Sequence, residues 1–368
     1  MYTSMDVYDD KPHEECGVFG IFDRELSAVH ETYYGIFALQ HRGQESAGIT
    51  VSDGKTMETF RGMGLVTEVF HNLPEKEGHI GIGHVRYSTT GSSIPVNVQP
   101  LQADSIDGPM ALAHNGNLVN TKNLRRRLLM DGSTFSTTMD TEVIIKLLAR
   151  SRRATEEEKF KELMAEIHGA YAIVACTNDA IYGCRDPFGY RPLVLGKTEH
   201  GWVLASETPA LDAIDAKFVR DVLPGEIVTI DDNGVRSTMY CPVDSQRHGI
   251  CSFEYIYFAR PDSIMNGQDI YRARLNMGRK LWEETHYEGD VVMSVPDSGN
   301  VAALGYSQAS GIPFVEGLLK NKYMGRTFIQ PGQKKRERAV RMKLNPIRMN
   351  VEGKDIILVD DSIVRGTT

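Results

Sequence analysis

Two groups of residues in this chain have side chains suited to chemistry, and they lie far apart in the sequence. The later one is Lys354-Asp-Ile-Ile-Leu-Val-Asp-Asp-Ser-Ile-Val-Arg-Gly-Thr-Thr368, an apolar run that meets two acids and then a small, hydroxyl-rich loop. Ile356 to Val359 predicts a short buried strand, because an unbroken apolar run suits a parallel strand covered on both faces. Asp360 and Asp361 then fall at its carboxyl end, where open α/β sheets place their ligands. Two adjacent carboxylates there can meet vicinal ribose hydroxyls, or a Mg2+ ion that keeps several of its waters. Ser362, Gly366, Thr367 and Thr368 offer hydroxyl and backbone N–H donors to a phosphate, and Arg365 adds positive charge. Two acids alone would suit an acidic surface turn equally well.

The earlier group starts at Cys16, in Glu14-Glu-Cys-Gly-Val-Phe-Gly-Ile-Phe22. A lone cysteine opening an apolar strand reads either as a small core residue or as a nucleophile. In the second reading residues 1–15 are removed and the new α-amine serves as the base. An α-amino group titrates at about 8 and can take a thiol proton near neutral pH without a histidine partner. His41-Arg-Gly-Gln-Glu-Ser-Ala-Gly48, Gly83-His-Val-Arg-Tyr-Ser-Thr-Thr-Gly91, Ala113-His-Asn-Gly-Asn-Leu118 and Met139-Asp-Thr-Glu-Val143 follow in order. His41, His84 and His114 form no short-spaced ligand set, which argues against a metal centre there.

The elements that must hold these residues suggest two domains, as the length of 368 residues does. Helices are predicted near Ser27 to His41 and Asp140 to Ser151. Short apolar runs separated by turns between Ala170 and Ile230 read as antiparallel strands and hairpins, with Cys176 and Cys184 in the core. A polar, turn-rich boundary falls near Asp231 to His248. Beyond it come a strand at Asp290 to Val295, a loop at Pro296 to Asn300, a helix at Val301 to Ser310 and a strand at Ile312 to Glu316, a βαβ unit. The hydrophobic content of 41% is that of an ordinary globular protein, and a net charge of -8 argues against nucleic-acid binding. No apolar run reaches membrane-helix length and no secretory signal is evident, so a cytoplasmic protein is expected.

The string from Asp360 to Thr368 resembles the phosphoribosyl pyrophosphate signature of the type I phosphoribosyltransferases. Cys16 with its four partner motifs resembles the class II, N-terminal-nucleophile (Ntn) glutamine amidotransferases, over roughly the first 240 residues. Cys251-Ser-Phe-Glu-Tyr-Ile-Tyr-Phe-Ala-Arg-Pro-Asp-Ser263 is very close to the glutamine phosphoribosylpyrophosphate amidotransferases, the family that opens purine synthesis.

The fold these resemblances imply is a four-layer αββα Ntn-hydrolase sandwich over 16–240, after a propeptide at 1–15. An α/β phosphoribosyltransferase domain over 250–368 would follow. The implied roles are Cys16 as nucleophile, Asn115 and Gly116 as oxyanion hole, Arg86 for the glutamine α-carboxylate, Asp140 for its α-ammonium, and Arg42 and Gly43 shaping the surroundings. In the second domain Ser298, Asp360 and Asp361 would hold Mg2+. A basic segment from Leu319 to Gln330 would close over pyrophosphate, with Lys322 and Arg326 meeting charge and Phe328 excluding water.

In the iron-sulphur branch of the family a cysteine in the place of Cys251 is one of four thiolates on a [4Fe-4S] cluster. The chain resembles that branch, so a cluster is expected in the full-length protein; no cysteine follows Cys251 in this sequence, so the cluster is not expected to be retained here. The resemblance also implies purine nucleotides as inhibitors and a homo-oligomer, a tetramer. Because the sequence stops within the phosphate loop, the transferase domain is expected to be a truncated, incomplete form. The remaining alternatives are a glutaminase alone, another class II amidotransferase such as a hexosamine-forming one, and a non-catalytic sugar-phosphate sensor.

Overall fold

The structure, a computed structural model, describes residues 16–87, 93–240, 249–321 and 343–362. It divides into two compact units. One runs to Ser252 and includes Ser263–Gly267; the other takes Phe253–Asp262 and the chain from Gln268 onward. The expected propeptide at 1–15, Lys322, Arg326, Phe328 and the loop Arg365 to Thr368 lie outside the described residues, as do 88–92 of the arginine motif.

The first unit is built on two antiparallel sheets. The seven-stranded sheet runs, in spatial order, Lys217–Asp221, Val194–Lys197, Trp202–Ala205, Gly17–Phe22, Ile80–Arg86, Ser46–Ser52 and Met57–Met63. The six-stranded sheet runs Gly234–Met239, Glu226–Asp231, Ile181–Arg185, Gly169–Cys176, Gly108–Leu118 and Leu101–Ser105. Side chains alternate between faces along a strand, and this decides which core each residue enters. Val18 and Phe22 meet Ile80, Ile82, Ala111, Ala113, Ala172 and Val174 between the sheets. Phe19 and Ile21 point the other way and pack with Val29 and Ile36 of helix Ala28–Ala38. On the outer face of the second sheet, Leu112, Tyr171 and Ile173 pack with Leu124, Ile144 and Phe160 of helices Thr121–Met130, Asp140–Arg150 and Glu156–Glu166. These are the four layers, αββα, that the motifs implied.

Local chemistry sets the helix starts. Thr155 accepts the Glu158 N–H on its hydroxyl at 3.2 Å, and Glu156, Glu157 and Glu158 fill the first turn, where the helix dipole favours negative charge. Cys176 lies between the sheets and Cys184 in the outer core. Burial pushes both thiols up, that of Cys176 to about 12, so neither is poised to react.

In the second unit, strands Val291–Ser294 and Ile356–Val359 pair in parallel, with helix Asn300–Ser310 between them in sequence. Val292, Ala303, Tyr306 and Val359 form the core, with Trp282 and Ile357 against it. Two expectations need correction. Ile312 to Glu316 is not a strand but a single parallel bridge from Val292 to Phe314; Pro313 has no N–H to give a ladder. Strand Ile356–Val359 is covered on one face, not two: Val359 is buried, whereas Ile356 and Leu358 are 41% and 50% exposed. Alternation places those two on the face that no described residue covers.

Helix Ile270–Thr285 starts at Asp269, whose carboxylate accepts the Arg272 N–H at 2.8 Å. It touches helix Asn300–Ser310 backbone to backbone: a Cβ on Gly278 would lie 1.9 Å from the Ala302 carbonyl oxygen. Gly278→Ala should therefore separate the two helices and destabilise this unit by about 2–3 kcal/mol. Denaturant unfolding followed by Trp282 fluorescence in a Trp202→Phe background checks this, and an unchanged midpoint contradicts the packing described.

Candidate active site

The candidate site sits at one end of the space between the two sheets. Ile80 and Ile82 face that space, and the same alternation along strand Ile80–Arg86 carries His84 and Arg86 to it. Continuing back from Val18 brings Cys16 to the same face, and continuing forward from Ala111 and Ala113 brings Asn115. Cys16, Arg86, Gly116 and Asp140, distant in sequence, line one pocket together with Tyr87, Gln99, His114 and Met139.

Cys16 is 6% exposed, and its thiol donates to the Tyr87 carbonyl at 3.4 Å. Arg86 is 1% exposed, so it is not a surface ion-pair partner. Asn115 and Gly116 do not form a hairpin turn either; they lie inside strand Gly108–Leu118, opposite Ala172 and Tyr171. Gly116 has a φ of 145°, and a Cβ there would be 2.0 Å from the Ala170 oxygen, so only glycine fits. Among the described residues, neither amide atom of the fully buried Asn115 has a hydrogen-bond partner, and the same holds for His84 Nδ1 and His114 Nε2. A buried polar group left unpaired costs about 1–3 kcal/mol. Several of them at one end of the core mark a place shaped for a polar ligand.

Asp140 begins helix Asp140–Arg150 and is 3% exposed. Burial alone would raise its carboxyl, but the His114 side chain 3.6 Å away, and the N–H groups of Leu118 and Thr141 at 3.0 and 2.9 Å, hold it below the usual carboxylate range. It is therefore held as an anion at the edge of the pocket. The loop before it is fixed by Glu142, whose carboxylate accepts the N–H groups of Ser136 and Thr137 at 2.9 and 2.7 Å.

Arg42 and Gly43 act on their neighbours and do not line the pocket. The buried Arg42 guanidinium donates to the Cys16 carbonyl at 3.1 Å and to Glu207 at 2.5 Å. A Cβ on Gly43 would come within 2.6 Å of the Arg86 backbone, so this glycine lets the arginine strand pass. Gln99 and His114 lie outside the roles read from the motifs. Gln99 accepts the His114 N–H on its amide oxygen at 2.8 Å and so ties down the strand that carries Asn115; a lone glutamine offers no sequence signal for this.

In the second unit, the Val295 N–H donates to the Val359 carbonyl at 2.9 Å and draws the loop that bears Ser298 to the strand end that bears Asp360. Asp360 accepts the Asp361 N–H at 2.9 Å, and Ser362 donates to Asp361 at 2.6 Å. Partial burial, and then the Asp361 charge, raise the Asp360 carboxyl despite that hydrogen bond. Two carboxylates in mutual repulsion on an accessible loop fit a hydrated divalent cation. Among the described cysteines, Cys176 and Cys184 are sealed in the sandwich core and Cys251 is partly exposed.

Burial, and then the charge of Arg86, push His84 down to about 3. It is neutral, and its Nε2 donates to the His114 carbonyl at 3.2 Å. The unfolded chain takes up a proton on this residue below about 6.5 while the folded chain does not. The stability it contributes is thus complete above that pH and is lost as pH falls toward 3. Urea unfolding should show lower stability at pH 5 than at pH 7, with a smaller difference in His84→Gln, which keeps a donor; an equal difference in both proteins contradicts the assignment.

With this geometry in view, the glutamine amidotransferase domain family matches residues 84–213, a stretch that contains Arg86, Asn115, Gly116 and Asp140. An amidophosphoribosyltransferase of Methanocaldococcus jannaschii is 48% identical over 371 residues, covering 96% of this chain and 79% of the relative. That of Bacillus subtilis is 49% identical over 359 residues, covering 97% and 75%. Among solved structures, the glutamine phosphoribosylpyrophosphate amidotransferase of B. subtilis complexed with ADP and GMP superposes with a TM-score of 0.89 at 48% identity, over 96% of this chain and 76% of that one. Identity at this level across most of both partners, on a chain whose sandwich gathers Cys16, Arg86, Gly116 and Asp140 into one pocket, establishes that it belongs to the amidophosphoribosyltransferase family.

Proposed function

We propose that this protein hydrolyses glutamine at Cys16 and delivers the ammonia to phosphoribosyl pyrophosphate, giving 5-phosphoribosylamine, pyrophosphate and glutamate, the first step of purine synthesis. The observation that carries the glutaminase half is the pocket lined by Cys16, Arg86, Gly116 and Asp140. The names of the relatives support the acceptor.

Removal of residues 1–15 leaves Cys16 with an α-amine that takes the thiol proton as sulfur attacks the side-chain amide. Arg86 receives the α-carboxylate, which a guanidinium meets with two parallel hydrogen bonds, and the anionic Asp140 receives the α-ammonium. The Asn115 amide N–H and the Gly116 backbone N–H receive the oxyanion, a contribution of about 3–4 kcal/mol per donor. Collapse releases ammonia and leaves a thioester, which water hydrolyses to glutamate. Ammonia then attacks C1 of the sugar as pyrophosphate departs.

Asp360 and Asp361, with Ser298 beside them, would hold Mg2+, which supplies positive charge to the pyrophosphate oxygens. Ser362 and the loop Arg365 to Thr368 would take the phosphate, and Lys322 and Arg326 would meet the pyrophosphate. A [4Fe-4S] cluster held in part by Cys251 is proposed for the full-length protein; the cysteines of this sequence do not supply its four thiolates. Purine nucleotides are proposed as inhibitors, in keeping with the ADP and GMP of the solved relative. A homotetramer in the cytoplasm is proposed with them; among the described residues no helix is long and apolar enough to cross a membrane.

Cys16→Ala should abolish ammonia release from glutamine and leave the circular dichroism spectrum unchanged. Normal turnover by that variant would sink the glutaminase assignment. Asp361→Asn should lower Mg2+-dependent pyrophosphate release by about tenfold or more while glutamine hydrolysis in the absence of acceptor persists; undiminished release would remove Asp361 from the metal site.

A further inference from the structure

Next to the nucleophile lies a buried carboxylate that no step above uses. Ser206 is bound to the start of strand Gly17–Phe22 in both directions, its hydroxyl accepting the Val18 N–H at 2.9 Å and its own N–H donating to the Val18 carbonyl at 3.0 Å. This fixes Glu207 beside Cys16. Glu207 is fully buried. One carboxylate oxygen meets His41 Nε2 at 2.8 Å and the Arg42 guanidinium at 2.5 Å, and the other accepts the Ser263 hydroxyl at 2.6 Å. Arg42 in turn holds the Cys16 carbonyl at 3.1 Å.

From this arrangement we infer that Glu207 is a positioning residue for the nucleophile: through Arg42 it fixes the backbone of Cys16, and so the direction of both its thiol and its α-amine. Burial would raise the Glu207 carboxyl, but the charges of His41 and Arg42, with hydrogen bonds from His41 and Ser263, hold it far below the usual range, so it stays an anion. A guanidinium anchored at one end by a carboxylate presents a fixed donor at the other. The inference rests on the proposed role of Cys16 as nucleophile.

Glu207→Gln keeps the shape of the side chain, and its amide oxygen can still face Arg42 and His41 with its N–H toward the Ser263 hydroxyl, but it removes the negative charge that anchors the Arg42 guanidinium. The kcat for ammonia release from glutamine should fall about tenfold or more with KM within about twofold, because a displaced nucleophile impairs the chemical step more than binding. The pH midpoint for alkylation of Cys16 by iodoacetamide should move down, because loss of the anion leaves the Arg42 charge to favour thiolate. Ser263→Ala, which keeps both His41 and Arg42, should lower kcat about threefold with KM unchanged, and it carries the test should the first variant not fold. A lowered melting temperature with kcat and midpoint at the values of the unaltered protein assigns Glu207 to stability alone and overturns the inference. If the unaltered protein neither releases ammonia nor reacts at Cys16, the functional reading itself is overturned.

Discussion

Strand Gly17–Phe22 is hydrogen-bonded along both edges, to Trp202–Ala205 and to Ile80–Arg86, and buried on both faces. The position of Cys16 follows from this. A residue one step before a strand with no free edge has little freedom in its backbone, and the Arg42 bond to its carbonyl removes more. Cys16, the proposed nucleophile, therefore stands at the end of a rigid element, which suits reacting groups that must be held to a fraction of an ångström.

The neighbours of Cys16 reach it by the same logic from separate strands. Arg86 ends the adjacent strand, Asn115 and Gly116 lie on the facing sheet, and Asp140 opens the helix that packs behind that sheet. Each arrives on an element whose other residues belong to a hydrophobic core, so the cores that stabilise the sandwich also align the site. Part of the cost falls here: among the described residues, Asn115, His84 and His114 keep buried polar atoms unpaired, as do several side chains elsewhere in the sandwich, Thr32 and Glu156 among them. Polar strain of this kind is a feature of sites arranged for a ligand that completes them.

The second unit uses a different device. Its acids stand at the end of a parallel strand, on a loop instead of in a sealed core, and they are partly exposed. Burial and mutual repulsion raise Asp360, whereas Asp140 and Glu207 are lowered by the cations and donors around them. Carboxylates with bound partners act as fixed anions; a pair left in repulsion is suited to an arriving cation.

Much of this was legible in the sequence. Strand Trp202–Ala205 and helix Asp140–Arg150 follow from periodicity, and the set Cys16, Arg86, Asn115, Gly116 and Asp140 from the resemblance of short motifs to the class II amidotransferases, because alternation and short motifs are local properties of a chain. What required the tertiary structure was contact between residues remote in sequence. Arg42 and Gly43 read as part of a site, but only packing shows that one holds the Cys16 carbonyl and the other makes room for Arg86. Glu207 and Gln99 carry no motif, and a glutamate before a short helix reads as ordinary helix-end charge. The apolar run at Ile356 predicted two covered faces, yet coverage depends on which elements pack nearby, and there alternation leaves Ile356 and Leu358 outside. Sequence determined which side chains could do the chemistry. Tertiary structure decided which of them touch, because burial and ion pairing are set by distances that no spacing along the chain encodes.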